Sequence, residues 1–304
     1  METRKIGSLE VSVVGLGCNN FGRRVDEEGT RRVVDAALDA GVTFFDTADI
    51  YGDTLSETFL GRILAGRRDR LVLATKFGME VDADRVGAAP DYAHRAVRDS
   101  LARLQTDHID LYQLHQPDPA VPIADTLAAM NELVRDGLVR EIGCSNFTAA
   151  QQREAVGAVA EAGARFVSVQ NELSLLERAD ENDGLVGAAE LGLGYIPYFP
   201  LASGVLTGKY HRGEPPPDGT RLAFYNEAVT EQEFDKIDAL AAFAAERGHT
   251  LLELAIGWLL SLEPVATVIT GASRPDQIEA NVAAATWRLP AEDIAALAAL
   301  RRVS

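Results

Sequence analysis

Short apolar runs alternate with longer amphipathic stretches along the whole chain. Residues 4–14 carry Gly7-Ser8 between two brief runs and predict a small β-hairpin, suited to plug one end of a barrel. Residues 13–17 predict the first barrel strand. Residues 26–40 then put Val33, Val34, Ala37 and Leu38 on one stripe, as an amphipathic helix does. Gly41 predicts a left-handed helix end, and residues 42–46 the next strand.

The same unit of helix, glycine and apolar run recurs at Gly137, Gly163 and Gly192. A helix that must reverse into a strand within two or three residues favours glycine just past its end. The apolar runs rarely alternate, which fits parallel strands covered on both faces. They end near positions 17, 46, 76, 115, 145, 171, 198 and 270, mostly about 30 residues apart, the size of one βα unit. Eight such units predict an α/β fold, a (β/α)8 TIM barrel with an N-terminal β-hairpin and extra C-terminal helices. The last interval is the longest. It holds a polar, proline-rich loop at 211–226 and helices at 231–247 and 251–262, and a terminal helix follows at 291–302. No compositional shift marks a boundary, so one domain is expected over residues 1–304. A Rossmann fold competes through Gly15-Leu-Gly17, but Asn20 stands where its fingerprint needs a third glycine. These glycines are read as a close-packed loop over a ligand.

Composition narrows the function more than the fold. The 304 residues are 47% hydrophobic and 25% charged, enough for a large core, and the net charge is -17. That balance argues against a nucleic-acid partner, whose affinity rests on neutralising phosphates. A few local cations would still hold one phosphorylated cofactor. Two distant cysteines, Cys18 and Cys144, indicate neither a disulfide framework nor a zinc cluster, and no metal is expected. Residues 1–20 show no basic-then-apolar leader, and the most apolar helical stretch, 251–262, contains Glu253 and is too short to span a bilayer. The expectation is a cytoplasmic protein with no membrane partner. No surface stretch stands out as an interface, so a homo-oligomer is possible but not indicated.

Four polar residues fall at or just past consecutive strand ends: Asp46, Tyr51, Lys76 and His115. In a parallel barrel those ends share the face that carries chemistry. Reducing a carbonyl generates an alkoxide, so a proton donor must stand beside the oxygen. A free phenol, with a pKa near ~10, is a poor donor at neutral pH. A neighbouring ammonium favours the phenolate and would lower that value, with Asp46 holding Lys76 charged. Tyr51 is then the general acid and His115 a donor that orders the carbonyl. Each residue also has a plainer reading: a packed turn aromatic for Tyr51, a cap for Asp46, a structural ion pair for Lys76. Their joint placement on successive strand ends favours the chemical one.

The wording around these residues resembles the aldo-keto reductase family across essentially the whole chain. The stretch from Gly41 to Gly52, Ser56-Glu57, Thr75-Lys76-Phe77-Gly78, the run 101–118, Gly143-Cys-Ser-Asn-Phe147 and Val169-Gln-Asn-Glu172 all match its pattern. The resemblance implies NADPH (NADP+) as cofactor and a small-molecule carbonyl substrate. By position, Ser145, Asn146 and Gln170 would bond the nicotinamide carboxamide, and Tyr198 would stack on its ring. Phe199, Pro200, Leu201, Ser203, Gly204 and Lys209 would line the pyrophosphate path. Gly271, Ser273, Arg274, Gln277 and Asn281 would hold the adenosine end. A helix start bearing Ser273 and Arg274 is independently a sound phosphate site. Two positions depart from the family: Phe199 where serine is common, and Ala280 where many members have glutamate. Substrate walls are expected from the loops at 18–25, 77–90 and 211–226, with Phe21, Phe224 and Tyr225 as candidates. Arg212 and Arg221 are alternative reaches to the cofactor phosphates. Two other functions stay open: an NADPH-binding regulator of the potassium-channel β-subunit type, which the family includes, and a Schiff-base aldolase using Lys76.

Overall fold

A computed structural model describes residues 1–159 and 163–300. Strands β1 (Thr3–Ile6) and β2 (Leu9–Ser12) form the expected antiparallel hairpin, with Ile6 opposite Leu9 across a turn at Gly7. Ile6, Leu9 and Val11 are buried against Phe44, Val72, Ala74, Leu111, Ile196 and Ala266. The hairpin therefore closes the N-terminal end of the barrel with its own apolar face.

The eight barrel strands are β3 (Val14–Gly17), β4 (Phe44–Asp46), β5 (Val72–Phe77), β6 (Ile109–Leu114), β7 (Val139–Ser145), β8 (Phe166–Glu172), β9 (Gly194–Tyr198) and β10 (Val268–Gly271). All pair in parallel in sequence order, and β10 returns to lie beside β3. The seam between β9 and the approach to β10 is bridged by Tyr195, whose N–H donates to Pro264 at 3.0 Å and whose carbonyl accepts from Ala266 at 2.9 Å. The observed ends lie within one residue of the expected ones. Strands β5 and β6 are buried along their full length, as parallel strands covered on both faces are, and their polar residues Thr75, Lys76, Asp110 and Gln113 are buried with them.

The main helices are α1 (Glu27–Asp39), α2 (Leu55–Ile63), α3 (Pro90–Leu104), α4 (Ile123–Arg135), α5 (Ala149–Gly157), α6 (Gly184–Leu191), α7 (Arg221–Tyr225), α8 (Glu231–Ala245), α9 (Leu251–Leu260), α10 (Pro275–Ala283) and α11 (Ala291–Leu300). Asp26 caps α1 by accepting from the Gly29 N–H at 2.8 Å. Gly41, Gly137 and Gly192 adopt positive φ at the helix-to-strand reversals, where a side chain would be strained. The helix end expected before Gly163 falls partly on residues 160–162, which lie outside the described residues; α5 spans Ala149–Gly157. The end expected for the terminal helix falls outside them as well.

Two expectations are corrected. Gly15 and Gly17 are strand residues of β3 rather than a loop. A Cβ on Gly15 would stand 2.9 Å from the Phe44 ring and 3.0 Å from Ile269, so glycine there makes room for the barrel interior. The loop at 211–226 also contains α7, a single turn capped by Thr220, too short to leave a periodic signature.

Candidate active site

Asp46 is the last residue of β4, Lys76 the penultimate residue of β5, and His115 the residue after β6. Tyr51 lies on the loop leaving β4, returned over the barrel by a turn in which its N–H donates to the Ala48 carbonyl. The Lys76 ammonium is fully buried and donates to Asp46 Oδ2 at 2.6 Å, the Thr47 carbonyl at 2.8 Å and Tyr51 Oη at 3.3 Å. The other Asp46 oxygen accepts from Gln113 Nε2 at 3.2 Å and Gln170 Nε2 at 2.9 Å. His115 meets the Tyr51 ring edge-on, with centroids 5.8 Å apart.

These groups floor a cleft of about 720 Å³ that opens along the C-terminal face of the barrel. Lys76 lies beneath the floor, and the other residues expected to act in catalysis or to hold the cofactor line the cleft. Beside His115, Asn146 holds a left-handed backbone, donates its amide to the His115 carbonyl at 2.9 Å and accepts from Tyr198 Oη at 2.9 Å. Ser145 Oγ donates to the Gln170 carbonyl at 2.7 Å. Past Tyr198 the chain turns through positive φ at Phe199, Ala202, Ser203 and Gly204. The absent Gly204 Cβ would sit 2.7 Å from Lys209 Nζ, so glycine lets that ammonium cross the segment. At the far end Gly271 leads to Ser273, whose N–H and hydroxyl both donate to Gln277 Oε1, and Asn281 is buried on the next turn of α10. Arg274 pairs with Asp276 at 2.8 Å.

A model of the aldo/keto reductase family matches residues 13–302. The chain belongs to the aldo/keto reductase family. It is 34% identical to the aldo-keto reductase YhdN of Bacillus subtilis (strain 168), over 94% of this chain and 88% of that one. It is 33% identical to a probable voltage-gated potassium channel subunit beta of Oryza sativa subsp. japonica, over 93% of this chain and 91% of that one. Among solved structures it superposes on the holo form of the aldo-keto reductase AKR11C1 of Bacillus halodurans with a TM-score of 0.83 and 34% identity, covering 99% and 96% of the two chains.

The electrostatics of this family member refine the expected picture. Burial pushes the Tyr51 phenol above its ordinary value, and Lys76 opposes that shift without reversing it. The expected net lowering by Lys76 is therefore corrected. Burial works against the Lys76 charge, but Asp46 and Tyr51 outweigh it and hold the ammonium's pKa above the usual lysine value. Burial, then Lys76, drives His115 well below the usual imidazole range, so the ring is neutral. Its Nδ1 is buried without a partner.

Several side chains stand elsewhere than expected. Phe21 is packed in the core, and Phe224 and Tyr225 meet edge-on beside the cleft rather than lining it. Arg212 is held on the outer face by Glu231, Asp235 and Asp238, whereas Arg221 reaches the cleft and lies over the Phe199 ring. Gln170 Nε2 donates to Asp46 Oδ1 at 2.9 Å and to Gln113 Oε1 at 3.4 Å, so its donating end is already engaged. The loops at 18–25 and 77–90 do reach the cleft, as expected, through Asn19, Asn20, Arg24 and Met79, none of which the sequence singled out for the site. Arg24 follows Arg23 in a loop without periodicity, so nothing local marks which of the two turns inward. Cys18 and Cys144 are buried free thiols, and among the described residues no cluster could hold a metal ion. Likewise no described helix is long and apolar enough to cross a membrane.

Proposed function

We propose that this chain is an NADPH-dependent oxidoreductase that reduces aldehyde, ketone or sugar carbonyls to alcohols. In this reading the whole chain acts as one barrel domain in the cytoplasm, with Tyr51 as general acid. The observation that carries the proposal is the Tyr51 hydroxyl at 3.3 Å from an ammonium that Asp46 holds in place, on the floor of a cleft of about 720 Å³.

The cleft's donors fit NADPH. One end is neutral and amide-rich, with Ser145, Asn146 and Gln170 beside the flat ring of Tyr198. The other collects Arg24, Lys209, Arg221 and Arg274 in a chain whose net charge is -17. Burial, then Arg24 and Arg274, depresses the Lys209 pKa, as expected where cations crowd toward an anion site. Bound at this cleft, NADPH would supply the hydride. Ser145, Asn146 and Gln170 would hold its nicotinamide end. Phe199, Pro200, Leu201, Ser203, Gly204 and Lys209 would follow the pyrophosphate. Gly271, Ser273, Arg274, Gln277 and Asn281 would hold the adenosine.

Neutral His115 donates a hydrogen bond to the carbonyl oxygen and fixes its direction. Tyr51 Oη gives up its proton as negative charge builds on that oxygen. Lys76 stabilises the phenolate left behind, and Asp46 keeps the ammonium oriented through that change. In the reverse direction the phenolate is the base that accepts the alcohol proton.

A second reading is a nucleotide-binding regulator, favoured by the similarity to a probable channel β subunit. A Schiff-base aldolase is disfavoured because Lys76 is paired and its charge reinforced, the opposite of an activated amine. Titrating NADPH and NADH against intrinsic tryptophan fluorescence, then offering aldehydes, ketones and sugars while following nicotinamide absorbance, separates the readings. Binding with turnover supports the reductase. Binding without turnover across the panel favours the regulator, and no binding of either nucleotide removes both.

A further inference from the structure

A buried carboxyl group that the proposed chemistry does not use stands on the loop carrying Tyr51. Asp49 stands two residues before Tyr51 and is 2% exposed. Its N–H donates to the Lys76 carbonyl at 3.1 Å, and its side chain is absent from the cleft wall. Oδ2 has one long bond, from Tyr92 Oη of α3 at 3.4 Å, and Oδ1 is buried with no partner. Buried carboxylates ordinarily collect several donors.

The groups facing Asp49 do not supply them. Glu57 comes from α2, Tyr92 and Arg103 from α3, Tyr112 from β6, and Lys76 from β5. Arg103 is committed to Glu57, Nε to Oε2 at 2.6 Å, and Glu57 Oε1 accepts from Thr75 at 2.5 Å. Lys76 is committed to Asp46. Tyr112 Oη is itself buried without a partner. Two carboxyl groups thus share one guanidinium that bonds only one of them, which favours a proton on the other.

We propose that Asp49 is a positioning residue for Tyr51: as the neutral acid it seats the 46–52 segment against α3, and on ionising it unseats that segment and slows turnover. This rests on the reading of Tyr51 as general acid. Burial, then Glu57, pushes the Asp49 carboxyl up to about 7, against Arg103, the Ile50 N–H and Tyr92. The change therefore falls in the neutral range. Its linkage sign follows: the folded pKa is raised, so the stability it contributes is full below the ordinary aspartate value, is lost as pH rises, and is gone above about 7.

The test measures kcat and KM with saturating NADPH, and the thermal midpoint, for wild type, Asp49→Asn and Tyr92→Phe from about pH 4 to about pH 9. Wild-type kcat should fall several-fold through an inflection near neutrality that Asp49→Asn lacks, with KM little changed. Tyr92→Phe, which removes a donor to the carboxylate, should move the inflection upward, and it keeps the test alive if Asp49→Asn fails to fold. The midpoint of Asp49→Asn should gain on wild type as pH rises to about 7 and run level beyond it. Superimposable kcat profiles for wild type and Asp49→Asn would overturn the proposal. So would a midpoint titration without one in kcat, which would make Asp49 structural only. Failure of the underlying functional reading looks different: the wild type turns over no carbonyl at any pH, and both readings fall.

Discussion

Tyr51 Oη and Lys76 Nζ stand 3.3 Å apart, and the same ammonium lies 2.6 Å from Asp46 on its other side. Burial keeps the phenol protonated at rest, and in the proposed mechanism the ammonium would stabilise the phenolate formed once the proton has gone. An interaction stronger after transfer than before it is the kind that speeds a reaction rather than merely tightening binding.

Lys76→Met should therefore damage both activity and stability. Losing the ammonium should lower kcat by at least about 100-fold, the low end for a positioned acid–base system. It also leaves Asp46 buried without its charge partner, which costs roughly 3–5 kcal/mol for such pairs. Gln113 and Gln170 still donate to Asp46 and place the loss toward the smaller figure. Urea unfolding beside turnover checks both parts. Full activity with unchanged stability would mean that the ion pair is incidental.

His115 gives a pH prediction of opposite sign to that of Asp49. Its folded pKa is depressed by burial and then by Lys76. The unfolded chain takes up a proton near the ordinary imidazole value of about 6.5, and the folded chain does not. Stability that is full above that value should fall as pH drops through it. His115→Asn should flatten the fall, as measured by thermal midpoints on the acid side. An equally steep decline in the variant would place its cause elsewhere.

Arg274→Ala should weaken NADPH more than NADH, by about tenfold if one charge-assisted contact of about 1.5 kcal/mol is lost. The guanidinium must first leave Asp276, which keeps the expected effect modest. Fluorescence titration of both nucleotides reads it out. Equal losses would show that Arg274 does not read the 2′-phosphate.

The barrel was legible because its strands are buried on both faces and its helices end on glycine, so period and punctuation agree at Gly41, Gly137 and Gly192. The residues gathered at the cleft were legible for the same reason. Asp46, Lys76 and His115 sit at strand ends, and a parallel barrel brings all strand ends to one face. What escaped notice lies in loops. Arg24 reaches the cleft because its guanidinium donates to the Gly219 carbonyl, 195 positions away, a contact that no local pattern encodes. Phe21 looked like a wall and is core, since hydrophobicity alone does not say which way a loop side chain turns. The sign of the Tyr51 shift also depended on how deeply the fold buries it, and spacing carries no measure of depth.

The most direct test of the central claim compares wild type with Tyr51→Phe in two readouts, NADPH affinity by fluorescence titration and carbonyl turnover by nicotinamide absorbance. The account predicts unchanged affinity, because the hydroxyl is paired with Lys76 and the proposed mechanism gives it no part in holding the nucleotide, together with a nearly complete loss of turnover. Substantial turnover by Tyr51→Phe would contradict the assignment of the proton donor and, with it, the proposed mechanism.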